Sequence, residues 1–157
     1  MLNQETKKNF MQIALEEAKK AADLGEVPVG AILLDQDDQI VATAHNRIEG
    51  EQFVCSHAEI RVIEKASKKL NNWRLNNYKL FVTLEPCPMC ASAIVLSRIS
   101  EVYFGCHDPR MGAAGSLMNL CSNELLPHQA KIEGNILQEE CSTLLKDFFK
   151  KIRLEKR

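Results

Sequence analysis

The sequence predicts an α/β protein in which helices cover both faces of a sheet. Two observations support this fold class. Segments with apolar residues at helical spacing alternate with short apolar runs suited to buried strands. Their order is helix, strand hairpin, helix, strand, helix, strand and a final helix, which is typical of layered α/β architecture. Because the 157 residues contain no repeat, low-complexity tract or linker, we expect a single domain spanning 1–157.

The first third of the chain predicts a helix followed by a hairpin. Residues 6–23 form the helix, and Gly25 is a natural stop. Its apolar stripe consists of Phe10, Ile13, Ala14, Ala18 and Ala21. Two apolar runs follow at 29–34 and 39–44, and the four polar residues between them predict a hairpin turn.

A second helix is predicted at 57–70, where Ser56 occupies the N-cap position and Glu59 completes a capping-box pattern. Its apolar stripe consists of Ile60, Ile63, Ala66 and Leu70. Residues 79–84 are a short apolar run suited to a buried strand. The remaining predicted elements are a helix at 87–98, a strand at 101–105, a last strand at 131–137 and a C-terminal helix at 138–154.

Composition places the chain among ordinary globular proteins. Hydrophobic residues make up 45% and charged residues 26%. No apolar run approaches the roughly 20 residues that cross a bilayer, and the polar N-terminus lacks the apolar segment of a secretory signal. We therefore expect a cytoplasmic protein without membrane partners.

The charge is distributed unevenly. The net charge is −1, but residues 146–157 carry six basic and two acidic side chains, which leaves the body at −5. Such a terminus is either a solvated helix end or a contact for a polyanion such as RNA, and both interpretations stay open.

Cysteine spacing singles out two of the six cysteines. Cys87 and Cys90 are three residues apart, so they share one face of a helical turn and can bind one ion. In a reducing compartment we expect no disulfides. The other four are expected to be buried small apolar residues: Cys55, Cys106, Cys121 and Cys141.

His57-Ala58-Glu59 and Pro86-Cys87-Pro88-Met89-Cys90 together predict a zinc site. His57, Cys87 and Cys90 supply three ligands, which leaves the fourth tetrahedral position to water, as in catalytic sites. Both motifs lie at predicted helix N-termini, where the partial positive charge favours thiolates. Glu59 is then available to move protons to and from the water. One Zn²⁺ per chain is expected.

Two other interpretations compete with this one. A Cys-x-x-Cys pair also serves as a redox centre, but that leaves the His-x-Glu helix unexplained. A structural zinc site would need a fourth protein ligand, for which Cys55 is the obvious candidate, followed by Cys106 and His107. An RNA-binding module with structural zinc would follow from that alternative. The His-x-Glu and Pro-Cys-x-x-Cys signature itself is the known one of zinc base deaminases.

Beyond the ligands, the chain resembles the bacterial tRNA-specific adenosine deaminases, which convert the wobble adenosine of an anticodon to inosine. The matching segments are EVPVGA at 26–31, HNR at 45–47, HAEI at 57–60, VTLEPC at 82–87, SRI at 97–99, GAAGSL at 112–117 and the Phe148-Phe149 pair. The metal motifs are shared by all zinc base and nucleoside deaminases. The 112–117 loop and the phenylalanine pair are more particular to the tRNA branch.

The resemblance implies a three-layer fold like that of cytidine deaminase, with a mixed sheet of about five strands, and a homodimer. It places Asn46 in the substrate pocket, Asp108 beside the ribose 2′-OH and Phe149 against an anticodon base, with Lys150, Lys151 and Arg153 facing phosphates. Each has a plainer alternative. Asn46 and Asp108 are also typical turn residues, and a phenylalanine pair at helical spacing is more often part of the core, so the role of Phe149 stays open. We expect Phe148 to face inward.

Three departures from the family pattern bear on the substrate rather than on the chemistry. Cys55-Ser56 precedes the ligand His, Pro88 separates the cysteines, and Gln129 stands where an Arg is common. Pro88 is compatible with a first helical turn. A deaminase of a free base or nucleoside, such as guanine or cytosine, is therefore the nearest alternative function.

Overall fold

The computed structural model describes residues 1–156 and contains one five-stranded sheet flanked by helices. Its elements are α1 (Gln4–Asp23), β1 (Gly30–Leu34), β2 (Ile40–His45), α2 (Ile48–Glu51), α3 (Ala58–Leu70), β3 (Lys79–Leu84), α4 (Pro88–Leu96), β4 (Glu101–Cys106), β5 (Lys131–Glu133) and α5 (Gln138–Glu155). The strand order is β2-β1-β3-β4-β5. β1 is antiparallel to both neighbours, whereas β3, β4 and β5 run parallel. The predicted mixed sheet is confirmed.

Alternation along the strands divides the core into two layers. In β3, Leu80 and Val82 join one cluster, whereas Phe81 between them joins the other. The first cluster contains Val62 of α3 and Ile94 of α4, so these helices cover one face. Residues of α1 and α5 complete the second cluster. The period of two residues thus places helices on both faces of the sheet, as predicted.

The buried faces of two helices differ from the predicted stripes. In α1, Ile13 is 37% exposed, whereas Met11 and Leu15 are buried. In α3, Leu70 is 39% exposed and Val62 is fully buried. The spacing identified both helices and most of their buried faces, since Ala14, Ala18, Ala21 and Ala66 are fully buried, but it placed Ile13 and Leu70 inside wrongly.

The remaining differences concern short elements. The one-turn helix α2 was not predicted. The last strand ends at Glu133 instead of 137, and Asn135 and Leu137 adopt positive φ angles of 65° and 53°. Cys106, Cys121 and Cys141 are buried as expected, but Cys55 is only half-buried. Among residues 1–156, all six cysteines are free thiols.

Within the described part of the chain, none of the helices combines the length and apolar character that crossing a membrane requires.

Candidate metal centre and substrate cleft

The first turns of α3 and α4 bring the three predicted zinc ligands together. The ligand atoms of His57, Cys87 and Cys90 all lie within 4.8 Å of one another. His57 Nδ1 is 3.7 Å from the Cys87 sulfur and 3.5 Å from the Cys90 sulfur. Sequence spacing alone predicted this group correctly, although the two motifs lie thirty residues apart.

Helix geometry explains why these side chains are available. His57 is the N-cap residue of α3 and Cys87 is the N-cap residue of α4. Among the described residues, neither side chain makes a capping hydrogen bond, so both remain free to bind a ligand. Pro88 occupies the first turn of α4, where its missing N–H costs no helical hydrogen bond.

Electrostatics within the group favour a cation. A hydrogen bond with the Cys90 thiol, aided by His57, lowers the pKa of Cys87 to about 4. The same contact with Cys87, together with burial, raises the pKa of Cys90. A zinc ion fits this set because two thiolates and an imidazole are ligands that it prefers.

Glu59 lies next to the ligand group without belonging to it. It is 3% exposed in the first turn of α3, and burial raises its pKa to about 7. The group that residues 1–156 assemble holds three ligand atoms, and Cys55 is not one of them. The structure therefore does not supply the fourth protein ligand that the structural-zinc alternative requires.

The cap of α3 differs from the predicted one. Ser56 does not cap the helix; its hydroxyl donates to the Glu51 carboxylate at 2.5 Å. Instead, the buried side chain of Asn46 accepts a hydrogen bond of 2.8 Å from the Ala58 N–H. The cap comes from the residue that follows β2, twelve residues before Ala58, and it places Asn46 directly beside the ligand His57.

Asp108 and Phe149 line a second feature, a cleft of about 630 Å³ between the loop after β4 and helix α5. Asp108 also performs the turn role, because one carboxylate oxygen accepts from the N–H groups of Arg110 and Met111 at 2.9 and 3.2 Å. Phe149 is 43% exposed, whereas Phe148 is half-buried and lines a groove outside the core clusters, so it does not face fully inward as predicted. Asn46 lies apart, at the metal group.

The basic residues of α5 do not form one surface. Lys146 and Arg153 line the cleft with Asp108 and Phe149. Lys151 lines a separate groove beside Asp23, so the expectation that it joins the others is not supported. Arg157, the last basic residue of the predicted tail, lies outside the described residues.

Sequence reasoning missed Glu85, which follows β3 directly. Its side chain has no exposed surface. Burial alone would raise its pKa, but hydrogen bonds from Ser116, Asp108 and Ala114 hold the pKa below its ordinary value. The sequence signal that could have identified Glu85 is an acidic residue at the end of a predicted buried strand.

Gln129, one of the departures from the family pattern, holds its own loop in place. Its amide donates to the backbone carbonyls of Asn123 and Leu126 at 3.1 and 2.7 Å.

Comparison with known proteins gives consistent matches. Residues 4–106 match the family described as the cytidine and deoxycytidylate deaminase zinc-binding region. A relative from Bacillus subtilis, named tRNA-specific adenosine deaminase, is 49% identical over 148 residues, which cover 94% of this chain and 91% of that protein. A relative with the same name from Aquifex aeolicus is 44% identical over 147 residues, which cover 94% of this chain and 96% of that protein.

Solved structures agree with the fold. One, from a study of A-to-I editing by tRNA:A34 deaminases at the wobble position, has a TM-score of 0.84 and 39% identity, covering 87% of this chain and 99% of that chain. The structure of guanine deaminase from Nitrosomonas europaea has a TM-score of 0.78 at 19% identity. The match covers 90% of this chain and 83% of that chain. The second likeness shows the shared fold alone.

Proposed function

The chain belongs to the cytidine and deoxycytidylate deaminase family, and we propose that it is a single-domain enzyme that hydrolyses the wobble adenosine of a tRNA anticodon loop to inosine and ammonia. The proposal rests on the three-ligand group beside the buried Glu59. The chain matches relatives named tRNA-specific adenosine deaminase along 94% of its length, which favours adenosine in tRNA over a free base.

His57, Cys87 and Cys90 would hold the zinc ion. When bound, zinc lowers the pKa of a coordinated water so that a nucleophile is available near neutral pH. The protein's contribution is a ligand set fixed at two helix N-termini, one of which is capped from outside by Asn46. Because the described ligand group supplies three atoms, these residues would hold the ion without a fourth protein ligand and would leave room for water.

Glu59 would act as the proton shuttle. Its carboxylate accepts a proton from the attacking water and delivers it to N1 of the adenine ring as the C6–O bond forms. It then carries the second water proton to the amino group, so that the C6–N bond breaks and ammonia leaves. A pKa raised to about 7 by burial suits a group that must both take and release a proton.

Asn46, Asp108 and Phe149 would hold the nucleotides. The Asn46 side chain lies beside the ligand His57, where it would contact the target base or its ribose. One Asp108 oxygen is used in its turn, and the other is available to a ribose 2′-OH. The exposed ring of Phe149 offers a stacking surface, with Lys146 and Arg153 in the same cleft for phosphates.

The proposal includes a homodimer that acts in the cytoplasm. Several large apolar side chains are exposed on α4 and on the segment after β4, and a second copy would cover them: Leu96, Leu117, Met118 and Leu125. The cytoplasmic assignment follows from the proposed substrate.

Inosine formation tests the function. Purified zinc-loaded protein is incubated with a tRNA that carries adenosine at the wobble position, and the nucleosides are quantified after digestion. We expect inosine at that position, and none in the matched tRNA with a wobble guanosine. Turnover of free guanine or cytosine without tRNA conversion would contradict the proposal and favour a small-molecule deaminase.

A further inference from the structure

A buried carboxylate outside the metal group organises one wall of the substrate cleft. Glu85 lies between β3 and Pro86, two residues before the proposed ligand Cys87, and its side chain has no exposed surface. It is not part of the ligand group assembled by the described residues, and the proposed chemistry leaves it unused. A buried carboxylate is costly unless hydrogen bonds satisfy it, so its partners indicate its role.

The side-chain partners of Glu85 all come from the loop after β4, including His107, whose Nδ1 lies 3.4 Å from Oε1. Its Oε1 accepts from the Asp108 N–H at 3.0 Å and from the Ser116 hydroxyl. Its Oε2 accepts from the N–H groups of Ala114 and Ser116 at 2.9 and 3.0 Å. Two carboxylate oxygens therefore fix both ends of a loop that lies more than twenty residues away in sequence.

The loop is closed tightly around this carboxylate. The Gly112 N–H donates to the Asp108 carbonyl at 2.9 Å, and the Ala113 N–H donates to the Pro86 carbonyl at 2.8 Å. A Cβ at Gly112 would lie 2.5 Å from both the Asp108 carbonyl oxygen and the Glu85 carboxyl carbon. A side chain at this position would thus displace the loop from Glu85.

The same loop forms the wall of the cleft opposite α5. Residues 108–111 line the cleft together with Phe149 and Arg153. The position of Asp108 relative to Phe149 therefore depends on the loop, and the loop depends on Glu85. Because Glu85 precedes Cys87 by two residues, this contact also fixes the cleft relative to the metal group.

We propose that Glu85 is a positioning residue for the polynucleotide substrate, which acts by holding the 108–116 loop at the distance from α5 that anticodon nucleotides require. The inference rests on the proposed function. It differs from a role in zinc binding, since it predicts weaker tRNA binding with the metal retained. It also differs from a general stabilising role, since it predicts faster hydrogen exchange only at the amides of the 108–116 loop.

Glu85→Gln tests this role, because the amide keeps the volume but replaces one acceptor oxygen with a donor. Glu26→Gln is the matched control. Glu26 is 2% exposed and also accepts two backbone hydrogen bonds, from Glu49 and Gly50 at 2.9 and 2.7 Å, but these belong to α2.

Three quantities are measured for both variants: zinc per chain, amide hydrogen exchange, and kcat and KM on the wobble-adenosine tRNA. For Glu85→Gln we expect one zinc per chain, exchange at Asp108, Ala114 and Ser116 accelerated about tenfold or more, KM raised about tenfold and kcat within about threefold of wild type. In Glu26→Gln these three amides should exchange at the wild-type rate. Ser116→Ala removes one donor and should move KM and exchange in the same direction by less.

The outcomes separate the two proposals. An unchanged KM in Glu85→Gln, or a fall in kcat together with zinc loss, would overturn the positioning role while wild-type turnover still supports the function. If Glu85→Gln does not fold, Ser116→Ala decides by the same criteria. Failure of the wild-type enzyme on tRNA would instead refute the function, whatever the exchange rates show.

Discussion

The metal group and the substrate cleft are built from different kinds of structure. His57, Cys87 and Cys90 lie in the first turns of two helices whose inner faces pack into the core through residues such as Val62 and Ile94. The cleft is lined mainly by a loop and by α5, where Phe149 is 43% exposed. The first is fixed by packing, whereas the second is fixed by hydrogen bonds to Glu85.

This difference separates chemistry from substrate choice. A catalytic group must be held to within a fraction of an ångström, and helix termini anchored in a core provide that rigidity. A surface that accepts a flexible nucleotide loop must stay open to solvent, and loops on a rigid scaffold provide that. Mutations in the two regions should therefore affect different kinetic constants.

The largest effect is expected from removing a metal ligand. Cys90→Ala takes away one of three thiol or imidazole ligands, so the protein should lose zinc and all turnover, as measured by metal analysis and inosine formation. Cys55→Ala is the control, because Cys55 lies outside the described ligand group and should leave one zinc per chain. Loss of zinc from Cys55→Ala would show that the site uses a fourth protein ligand.

Removing the proton shuttle should be nearly as severe but should spare the metal. Glu59→Gln is expected to lower kcat about 10²–10⁴-fold, the usual contribution of general acid–base catalysis, with zinc content unchanged. Glu64→Gln is the matched control on the same helix, since that side chain is 64% exposed. A Glu59→Gln enzyme with more than a tenth of wild-type kcat would contradict the shuttle role.

Local pattern predicted the elements of the fold and the two halves of the metal group, because each element and each motif is a short segment of sequence. Strand alternation and the two motifs are visible within windows of a few residues, and the known signature joins the motifs, so the sheet and the grouping of His57 with Cys87 were predicted correctly. Which apolar residues of a helix are buried was harder to predict. In α1 the neighbouring apolar positions Ile13 and Leu15 differ in burial, and only the packing of the sheet decides between them.

Long-range hydrogen bonds account for what the sequence did not predict. The cap of α3 was assigned to Ser56, the nearest residue of the right type, but Asn46 supplies it from another element. Glu85 was missed because its partners follow more than twenty residues later. Such contacts leave no periodic pattern in the sequence, and they occur both beside the metal group, at Asn46, and at the wall of the cleft, at Glu85.

Within the cleft, the largest effect should come from the aromatic surface. Stacking of a base on an aromatic ring contributes about 1–3 kcal/mol, so Phe149→Ala should raise KM for tRNA about tenfold with little change in kcat. Leu154→Ala on the same helix is the control, since Leu154 is 60% exposed and lies outside the described cleft lining. Equal effects of the two variants would indicate a general change in α5 and contradict stacking on Phe149.

The smallest expected effect is on the salt dependence of tRNA binding, which should differ between substitutions on the two sides of α5. Arg153 lines the cleft, whereas Lys151 lines the groove beside Asp23. Each phosphate contact on single-stranded nucleic acid adds about 0.7 to the slope of log Kd against log salt concentration. Arg153→Ala should therefore lower that slope by about 0.7, and Lys151→Ala should leave it unchanged. Equal reductions would mean that the tRNA spans both sides of the helix. Its path would then extend beyond the cleft, and binding would depend on the charge of the whole C-terminal segment rather than on the wall that Glu85 holds.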